Sequence, residues 1–368
     1  MKVALVYDRV NKWGGAERVL LALSELFPGA PLYTSLYHPQ KAKWASKLRV
    51  KTTFLQKFPF IKSAHQYLGT LMPIAFENLN FDEFDVVISV TSEAAKGIIT
   101  KPQTLHICYC LTPTRYLWSG YEEYFANPIL RFLAKPFTSY LQTWDKLAAH
   151  RPDKYIAISK EVKRRIKKYY GRGSTVIYPP ITLMANSLWQ MEKNEKTIHN
   201  KPSAIGYLLI VSRLVPYKRI DLAIKACNRL NLPLKIIGTG SQEQYLKSIA
   251  GPSVEFLGYL TDEELLEYYK GSYGLIFPGK EDFGLTVLEV QSLGKPVLAY
   301  KSDGALETIV SGKTGMFFYP QTVSALEKSM KRFMKKKFDP KLCREQAARF
   351  SKEQFKQQFM AYIKGQTQ

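Results

Sequence analysis

The chain has 368 residues, of which 46% are apolar, and it carries a net charge of +22 at pH 7. This length predicts two domains, and the apolar share is that of an ordinary globular protein. No uncharged apolar run reaches about 18 residues, so no transmembrane helix is expected. The first residues also lack the long apolar segment of a signal peptide, and we expect a cytoplasmic protein.

The first half of the chain alternates apolar runs with helical patterns. A polar stretch without a clear period, residues 183–203, is the predicted interdomain linker. The predicted strands are residues 3–7, 32–36, 86–90, 105–110, 154–158 and 176–178, and the predicted helices are residues 16–26 and 160–170.

The second half repeats this alternation and ends in an amphipathic helix over residues 352–363. Its predicted strands are residues 207–211, 234–237, 254–257, 274–277 and 296–299. Strands separated by helices indicate βαβ units and parallel sheets. We therefore predict two doubly wound, Rossmann-like α/β domains facing a cleft, one over residues 1–185 and one over 204–345, followed by a C-terminal helical segment over 346–368.

The cysteines provide little functional signal. Cys108, Cys110, Cys227 and Cys343 form neither a zinc-binding spacing nor a C-x-x-C motif. We expect four buried thiols.

Two loops at strand ends could bind a diphosphate. Gly14 and Gly15 follow the first strand and open the first helix, where glycine lets the backbone approach a phosphate, although a merely tight turn explains them equally well. Arg213 and Lys218 follow the strand that ends at residue 211, and such cations grip phosphate oxygens. A solvated basic loop is the alternative for this pair.

A pair of carboxylates marks a third loop. Glu281 lies after the apolar strand 274–277, and Glu289 lies eight positions later, inside a helix that a glycine opens. Ligands of open α/β sheets bind at the carboxyl ends of strands. Free N–H groups at the helix start, together with the Thr286 hydroxyl, are available donors for a phosphate or a sugar oxygen.

These motifs together resemble the E-x7-E signature and the flanking elements of retaining glycosyltransferases of family 4, which have the GT-B fold. The resemblance covers nearly the whole chain. It implies that the C-terminal domain binds a nucleotide sugar, that the N-terminal domain binds the acceptor, and that the last helix crosses back to the N-terminal domain. It implies no metal and no cofactor besides the nucleotide-sugar donor.

The resemblance also implies residue roles. Arg213 and Lys218 would neutralise the donor diphosphate, Glu281 would hold the sugar hydroxyls, and these three form the implied catalytic set. Glu289 would bind the ribose, and Gly15 would donate its N–H to the distal phosphate. The full implied donor site is Gly14, Gly15, Arg213, Lys218, Glu281, Phe283, Gly284, Leu285, Thr286 and Glu289.

One position departs from the family. Residues 108–118 resemble a stretch that commonly reads His-Thr-Pro, but Leu111 replaces the histidine. Leucine can neither titrate nor donate a hydrogen bond. Either a neighbouring side chain replaces the histidine or activity is weakened. The nearest histidine in sequence, His106, is expected to be structural.

The positive charge is concentrated in three clusters, within residues 41–62, 160–168 and 328–337. An anionic membrane surface, nucleic acid or plain solvent would each suit such clusters. Because no recognised nucleic-acid motif is present, we expect peripheral binding at the inner face of the cell membrane and no nucleic-acid partner.

The function that these observations predict is transfer of a hexose to a lipid-linked or polysaccharide acceptor in cell-surface glycan assembly. The Glu-Asp-Phe-Gly-Leu and Arg-Tyr-x-Trp segments look most like the mannosyltransferase branch, which suggests GDP-mannose as donor. The rival prediction is a weakened sugar-nucleotide-binding or scaffolding protein of the same fold, which Leu111 favours.

Overall fold

A computed structural model describes residues 1–58, 69–125, 127–181 and 206–367. The predicted linker, residues 183–203, and residues 59–62 of the first basic cluster lie outside the described residues. The chain divides into two compact units. The first comprises Met1–Pro180 with Phe355–Gln368, and the second comprises Ile181–Gln354.

The boundary near the C-terminus differs from the sequence-based one at residue 346. Residues 346–354 group with the second unit. Gln346 is buried there, and its side-chain amide donates to the Thr308 carbonyl at 3.3 Å. The amphipathic pattern predicted the position of the last helix, but it could not predict which unit the residues just before that helix pack against.

The first unit is built on a seven-stranded parallel sheet. Its central strand, β4 (Val86–Thr91), is fully buried and apolar except at Ser89 and Thr91, as expected of a parallel sheet covered on both faces. The strand order is β3-β2-β1-β4-β5-β6-β7. The strands are β1 (Val3–Tyr7), β2 (Leu32–Thr34), β3 (Val50–Thr52), β4 (Val86–Thr91), β5 (Leu105–Cys110), β6 (Lys154–Ala157) and β7 (Thr175–Val176).

Helices cover this sheet and include one long helix, α4 (Pro128–Ala148), that was not predicted from the sequence. The edge strand β3 was also missed, because three half-buried residues carry too little periodicity to identify a strand. The α-helices of the unit's N-terminal part are α1 (Gly15–Leu26), α2 (Met72–Glu77), α3 (Tyr121–Tyr124), α4 (Pro128–Ala148) and α5 (Lys160–Tyr170). Ser159 caps α5, its hydroxyl accepting from the Val162 N–H at 3.0 Å.

The second unit contains a six-stranded parallel sheet in the order β10-β9-β8-β11-β12-β13. Its last strand, β13, was not predicted. The strands are β8 (Tyr207–Val211), β9 (Leu234–Ile237), β10 (Val254–Gly258), β11 (Ser272–Phe277), β12 (Val297–Tyr300) and β13 (Gly315–Phe318).

The remaining α-helices follow these strands. They are α6 (Ile220–Leu230), α7 (Glu243–Ser248), α8 (Asp262–Gly271), α9 (Leu285–Ser292), α10 (Ala305–Thr308), α11 (Val323–Lys335), α12 (Pro340–Ala348) and α13 (Lys352–Thr367). The C-terminal part of α13 belongs to the first unit, where Phe355 and Phe359 pack on Tyr109 with ring centroids 5.9 and 6.2 Å apart. The predicted return of the last helix is therefore confirmed.

Two further expectations can be compared with the described residues. All four cysteines are buried thiols, as predicted. No helix within the described ranges combines the length and apolar character needed to cross a bilayer.

Each sheet contains one point where the strand order reverses. In the first unit the chain runs outward from β1 on one side and from β4 on the other, and β1 pairs with β4. In the second unit the same relation holds between β8 and β11. Loops that leave the carboxyl ends of such strand pairs diverge and leave a crevice, which is where open α/β sheets bind ligands. These two points are where functional side chains are expected.

Candidate functional site

The crevice of the second unit brings together the basic loop after β8 and the acidic loop after β11. Because these strands are hydrogen-bonded neighbours, Lys218 and Glu281 meet although they are far apart in sequence. The Lys218 ammonium forms an ion pair with Glu281 Oε1. The Lys218 side chain is 7% exposed, and that of Glu281 is 26% exposed. The predicted cation and carboxylate thus share one site at the carboxyl edge of the sheet.

Tyr217 connects the two predicted cations of this loop. The Arg213 guanidinium donates a 2.6 Å hydrogen bond to the Tyr217 hydroxyl. The Lys218 ammonium lies 5.2 Å from the centre of the Tyr217 ring, within range of a cation–π interaction. The exposed Arg213 and the buried Lys218 are therefore positioned by one aromatic side chain. No role for Tyr217 was predicted from the sequence, since its contacts depend on the fold of the loop.

Glycines allow this loop to lie close against the sheet. A Cβ atom on Gly279 would come within 2.6 Å of the Lys218 Cα atom. A Cβ on Gly238, after β9, would collide with the Ser212 carbonyl group, and one on Gly240 would collide with Leu214. Gly238 and Gly240 therefore support the loop that carries Arg213 and Lys218.

The helix α9 begins at the same crevice. Gly284 is its N-cap, with φ 91° and ψ 64°, a left-handed conformation that favours glycine. The half-buried Leu285 and Thr286 form the first turn, and Phe283 before them is buried against Phe350 with ring centroids 5.5 Å apart. This packing fixes the direction in which the first N–H groups of the helix point.

Glu289 lies deeper in the unit than Glu281. It is 4% exposed and accepts a 2.9 Å hydrogen bond from the Tyr269 hydroxyl on α8. A buried carboxylate held by a neutral donor keeps acceptor capacity for a second donor. The structure thus gives the two carboxylates of the E-x7-E pattern different partners, a cation for Glu281 and a phenol for Glu289.

The crevice of the first unit lies beside the predicted glycine pair. Gly14 is the N-cap of α1, with an extended φ of 176°, and Gly15 is the first helical residue. The adjoining cavity has a volume of about 340 Å³, and it is lined by Tyr7, Asp8, Arg9, Asn11, Lys12, Ser92 and Glu93. None of these lining residues was singled out from the sequence, because they come from loops that are distant along the chain.

Asp8 is the organising residue of this cavity. Its buried carboxylate accepts a hydrogen bond from the Thr91 hydroxyl at 2.8 Å and from four successive backbone N–H groups, those of residues 92–95, at 2.8 to 3.1 Å. Arg9 beside it pairs with Glu93 at 2.6 Å. Burial raises the pKa of Glu93, while the charge of Arg9 opposes that rise.

A second buried carboxylate lies under the glycine pair. Glu17 on α1 accepts a 2.7 Å hydrogen bond from the Tyr7 hydroxyl. Burial raises the pKa of Glu17, and this hydrogen bond counteracts the increase. A Cβ on Gly14 would lie 3.1 Å from Glu17 Oε2. The turn of Gly14 and Gly15 is therefore packed against a hydrogen-bonded carboxylate.

The segment that departs from the family follows β5. Leu111 is half-buried, and its N–H bonds to the Thr91 carbonyl at 2.8 Å. The nearest histidine in sequence does not replace the missing one, because His106 is fully buried within β5 and its Nε2 bonds to the Ser89 hydroxyl at 2.8 Å. Burial, together with the charge of Arg151, lowers the pKa of His106 to about 3. His106 is structural, as predicted.

The rest of this segment is held by a buried ion pair. Asp145 on α4 contacts the Lys96 ammonium at 2.5 Å. The same carboxylate accepts from the Thr114 hydroxyl at 2.9 Å and from Trp118 Nε1 at 2.7 Å. These contacts fix the loop after β5 to α4.

Comparison with known proteins gives the fold and a family match. Residues 191–357 match the family described as Glycosyl transferases group 1. The Anabaena protein Alr3699/HepE, solved in complex with UDP, superposes with a TM-score of 0.70 over 99% of this chain and 100% of its own, at 17% identity. The protein therefore has the GT-B fold, as predicted.

Curated relatives agree with this assignment. An uncharacterised glycosyltransferase of Methanocaldococcus jannaschii, MJ1069, is 26% identical over 76% of this chain and 74% of its own length. A GDP-mannose-dependent monoacylated α-(1-6)-phosphatidylinositol monomannoside mannosyltransferase of Corynebacterium glutamicum is 28% identical over 41% of this chain and 45% of its own. Two other relatives are matched over 46% and 35% of their length, so the chain spans about half or less of several proteins that it resembles. The matched family and these relatives are all described as glycosyltransferases.

Proposed function

We propose that this protein is a retaining, metal-independent glycosyltransferase that transfers a hexose from a nucleotide sugar in glycan assembly. The observation that carries the proposal is the meeting of Lys218, Arg213 and Glu281 at the reversal point of the second sheet, beside the start of α9. Neutralisation of a diphosphate needs fixed cations, and selection of a sugar needs an acceptor for its hydroxyls. This site offers both.

The proposed chemistry follows from the charges. Cleavage of the bond between the sugar C1 and a phosphate oxygen develops positive charge on the ring and negative charge on the leaving diphosphate. Arg213 and Lys218, held in place by Tyr217, would stabilise the diphosphate without reorganisation. In a front-face reaction, the acceptor oxygen bonds to C1 on the side that the diphosphate leaves, and the diphosphate takes the acceptor's proton. Since these cations neutralise the leaving group, the proposal requires no metal and no further cofactor.

The remaining donor contacts are proposed from the same crevice. Glu281 and the backbone of Phe283, Gly284 and Leu285 would hold the sugar hydroxyls, and the Thr286 hydroxyl offers one further donor. Glu289 would bind the ribose, with Tyr269 fixing the orientation of its carboxylate.

The first unit would bind the acceptor, in the cavity beside Asp8 and Arg9. We propose GDP-mannose as donor and a lipid-linked or polysaccharide acceptor, at the inner face of the cell membrane. The Glu-Asp-Phe-Gly-Leu sequence and the name of the Corynebacterium relative support mannose, and the net charge of +22 supports an anionic membrane partner.

A ligand-induced melting series tests the donor proposal. GDP-mannose, UDP-glucose, UDP-N-acetylglucosamine, GDP and UDP are each added in the presence of a chelator. A ligand that binds only the folded state raises the melting temperature by mass action. We expect a shift with GDP and GDP-mannose. A shift confined to the uridine compounds would mean that the donor is a UDP-sugar instead of GDP-mannose, and the proposed glycosyltransferase activity would stand.

The second candidate is a sugar-nucleotide-binding or scaffolding protein without turnover. Leu111 favours it, because the described side chain of His106 cannot reach a substrate from the interior of β5. The two candidates separate in a transfer assay with the donor that shifts melting. Donor binding without transfer to any lipid-linked or polysaccharide acceptor, and without slow donor hydrolysis, would establish the scaffolding function.

A further inference from the structure

The outward face of α4 carries a row of apolar side chains, concentrated in residues 129–140, with one more near the end of the helix. Seven large apolar or aromatic side chains on it are each between 48% and 76% exposed. At about 100° per residue they fall within an arc of roughly 160°. They are Ile129, Leu130, Phe132, Leu133, Phe137, Tyr140 and Leu147. Single exposed apolar residues are ordinary on protein surfaces, but a continuous stripe on one helix marks an interaction surface.

The opposite face of α4 determines this orientation. Thr138, Leu141, Asp145 and Ala148 are the buried residues of the helix. Asp145 is held by Lys96, and a buried ion pair that lost one partner would cost several kcal/mol, so the helix cannot easily turn about its axis. The apolar stripe is therefore directed away from the body of the first unit by a fixed internal contact.

The charged side chains of α4 that flank the stripe over residues 127–144 are positive. The sequence from residue 127 to residue 144 contains no carboxylate, and Arg131 and Lys135 lie outside the arc on the same helix. The nearest acids before it are Glu122 and Glu123 on α3. The first unit as a whole has 28 lysines and arginines against 13 acids, which gives it +15 of the total charge of +22.

The second basic cluster adjoins the C-terminal half of α4 through Trp118. The Lys146 ammonium lies 5.4 Å from the centre of the Trp118 ring, and Trp118 stacks on Tyr169 with centroids 5.3 Å apart. Lys168 lies 5.1 Å from the centre of the Tyr169 ring. The basic helix α5 is thus a direct neighbour of the helix that bears the apolar stripe.

We propose that the outward face of α4 inserts into the interface of an anionic membrane, with the adjoining basic helix α5 binding lipid headgroups. An amphipathic helix lies in the interface plane when its apolar face enters the acyl boundary and cations lie beside it. A protein partner would need acids to match the charge of this unit, whereas an anionic bilayer supplies both the charge and the apolar layer. The proposal rests on the proposed function for its setting, since a lipid-linked acceptor is presented at that surface.

Vesicle flotation of the full chain tests this proposal. The vesicles contain either phosphatidylcholine alone or phosphatidylcholine with phosphatidylglycerol, each at low and at high salt. The test variant is Phe132→Ser/Phe137→Ser, which removes two rings that are 76% and 62% exposed without changing the charge. The control is Ile99→Ser/Tyr245→Ser, which removes two side chains outside α4 that are 55% and 45% exposed. Circular dichroism and melting temperature verify that both variants fold.

We expect the native protein to float with the anionic vesicles, and less so at high salt. The test variant should partition about 100-fold more weakly, roughly tenfold for each phenylalanine removed, and the control within about twofold of the native protein. Equal partitioning of test variant and native protein would overturn the proposal. So would absence of native binding to anionic vesicles, or a phenylalanine-dependent dimer in gel filtration without vesicle binding.

The melting series with nucleotide sugars distinguishes a failure of the membrane proposal from a failure of the donor proposal. The test variant should retain the donor-induced shift of the native protein, because the stripe lies in the first unit and the proposed donor contacts of Lys218 and Glu281 lie in the second. If no donor shifts either protein, the proposed function fails, while vesicle partitioning still decides whether α4 binds the membrane.

Discussion

Removal of the Lys218 ammonium is the sharpest perturbation of the proposed donor site. Lys218→Ala deletes a nearly buried cation that pairs with Glu281. If this ammonium stabilises the departing diphosphate, its loss should reduce turnover by about 10²- to 10³-fold, or about 3–4 kcal/mol of transition-state stabilisation, as for one pre-placed donor to a developing charge. The free energy of unfolding should fall by only about 1–3 kcal/mol, since the partner left behind is one carboxylate that water partly reaches.

The assay measures donor hydrolysis and transfer over a range of donor concentrations, together with the melting temperature. Lys225→Ala is the matched control, because the Lys225 side chain is 41% exposed and its truncation removes the same charge from the same unit. The control should stay within about twofold of the native rate. A Lys218→Ala/Glu281→Gln double variant then measures how far the two side chains act as a unit.

One result would refute the reasoning directly. If Lys218→Ala kept turnover within about tenfold of the native protein while remaining folded, the ammonium would not be part of the catalytic device. The ion pair with Glu281 would then be a structural contact of the loop.

Three further predictions concern backbone strain, a buried hydrogen bond and pH. Gly284→Ala should lower stability by about 1–2 kcal/mol because alanine is strained at φ 91°, whereas Gly173→Ala, with no atom within 4 Å of its new Cβ, should be neutral in the same denaturation experiment. Tyr269→Phe should lower the free energy of unfolding by about 1–3 kcal/mol and weaken nucleotide-sugar binding in titration calorimetry, since Glu289 loses the hydroxyl hydrogen bond from Tyr269. Unchanged affinity for the nucleotide sugar would remove Glu289 from the site. Because the pKa of His106 is about 3 in the fold and near 6.5 when unfolded, the unfolded chain takes up this proton first, so stability present at pH 7 is lost as pH falls, by about 2 kcal/mol at pH 5. His106→Asn should flatten that part of the urea-midpoint profile, and an unchanged profile would contradict the assignment.

Local pattern was sufficient for much of the fold. The buried strands β1, β4, β5, β8 and β11 are short apolar runs between loops, and this pattern does not depend on the rest of the chain. Their alternation with helices fixed the parallel α/β class. The edge strands β3 and β13 were missed because they have only three and four residues, and such short runs carry little periodicity.

The candidate donor residues were also visible in the sequence, since Arg213, Lys218, Glu281 and Glu289 each lie near a strand end or at a helix start. Their partners were not visible. Tyr217 bridges Arg213 and Lys218 only after the loop turns back on itself.

The sequence by itself therefore determined the two parallel sheets, the excess of positive charge and the types of side chain at the strand ends, because these follow from neighbours within a few positions. The tertiary structure alone decided the strand order, and the strand order brings β8 beside β11 and hence Lys218 to Glu281. It also decided that the ion pair of Asp145 directs the apolar side of α4 outward. Contacts between residues tens of positions apart depend on how the chain crosses over the sheet, and no local period encodes that crossing.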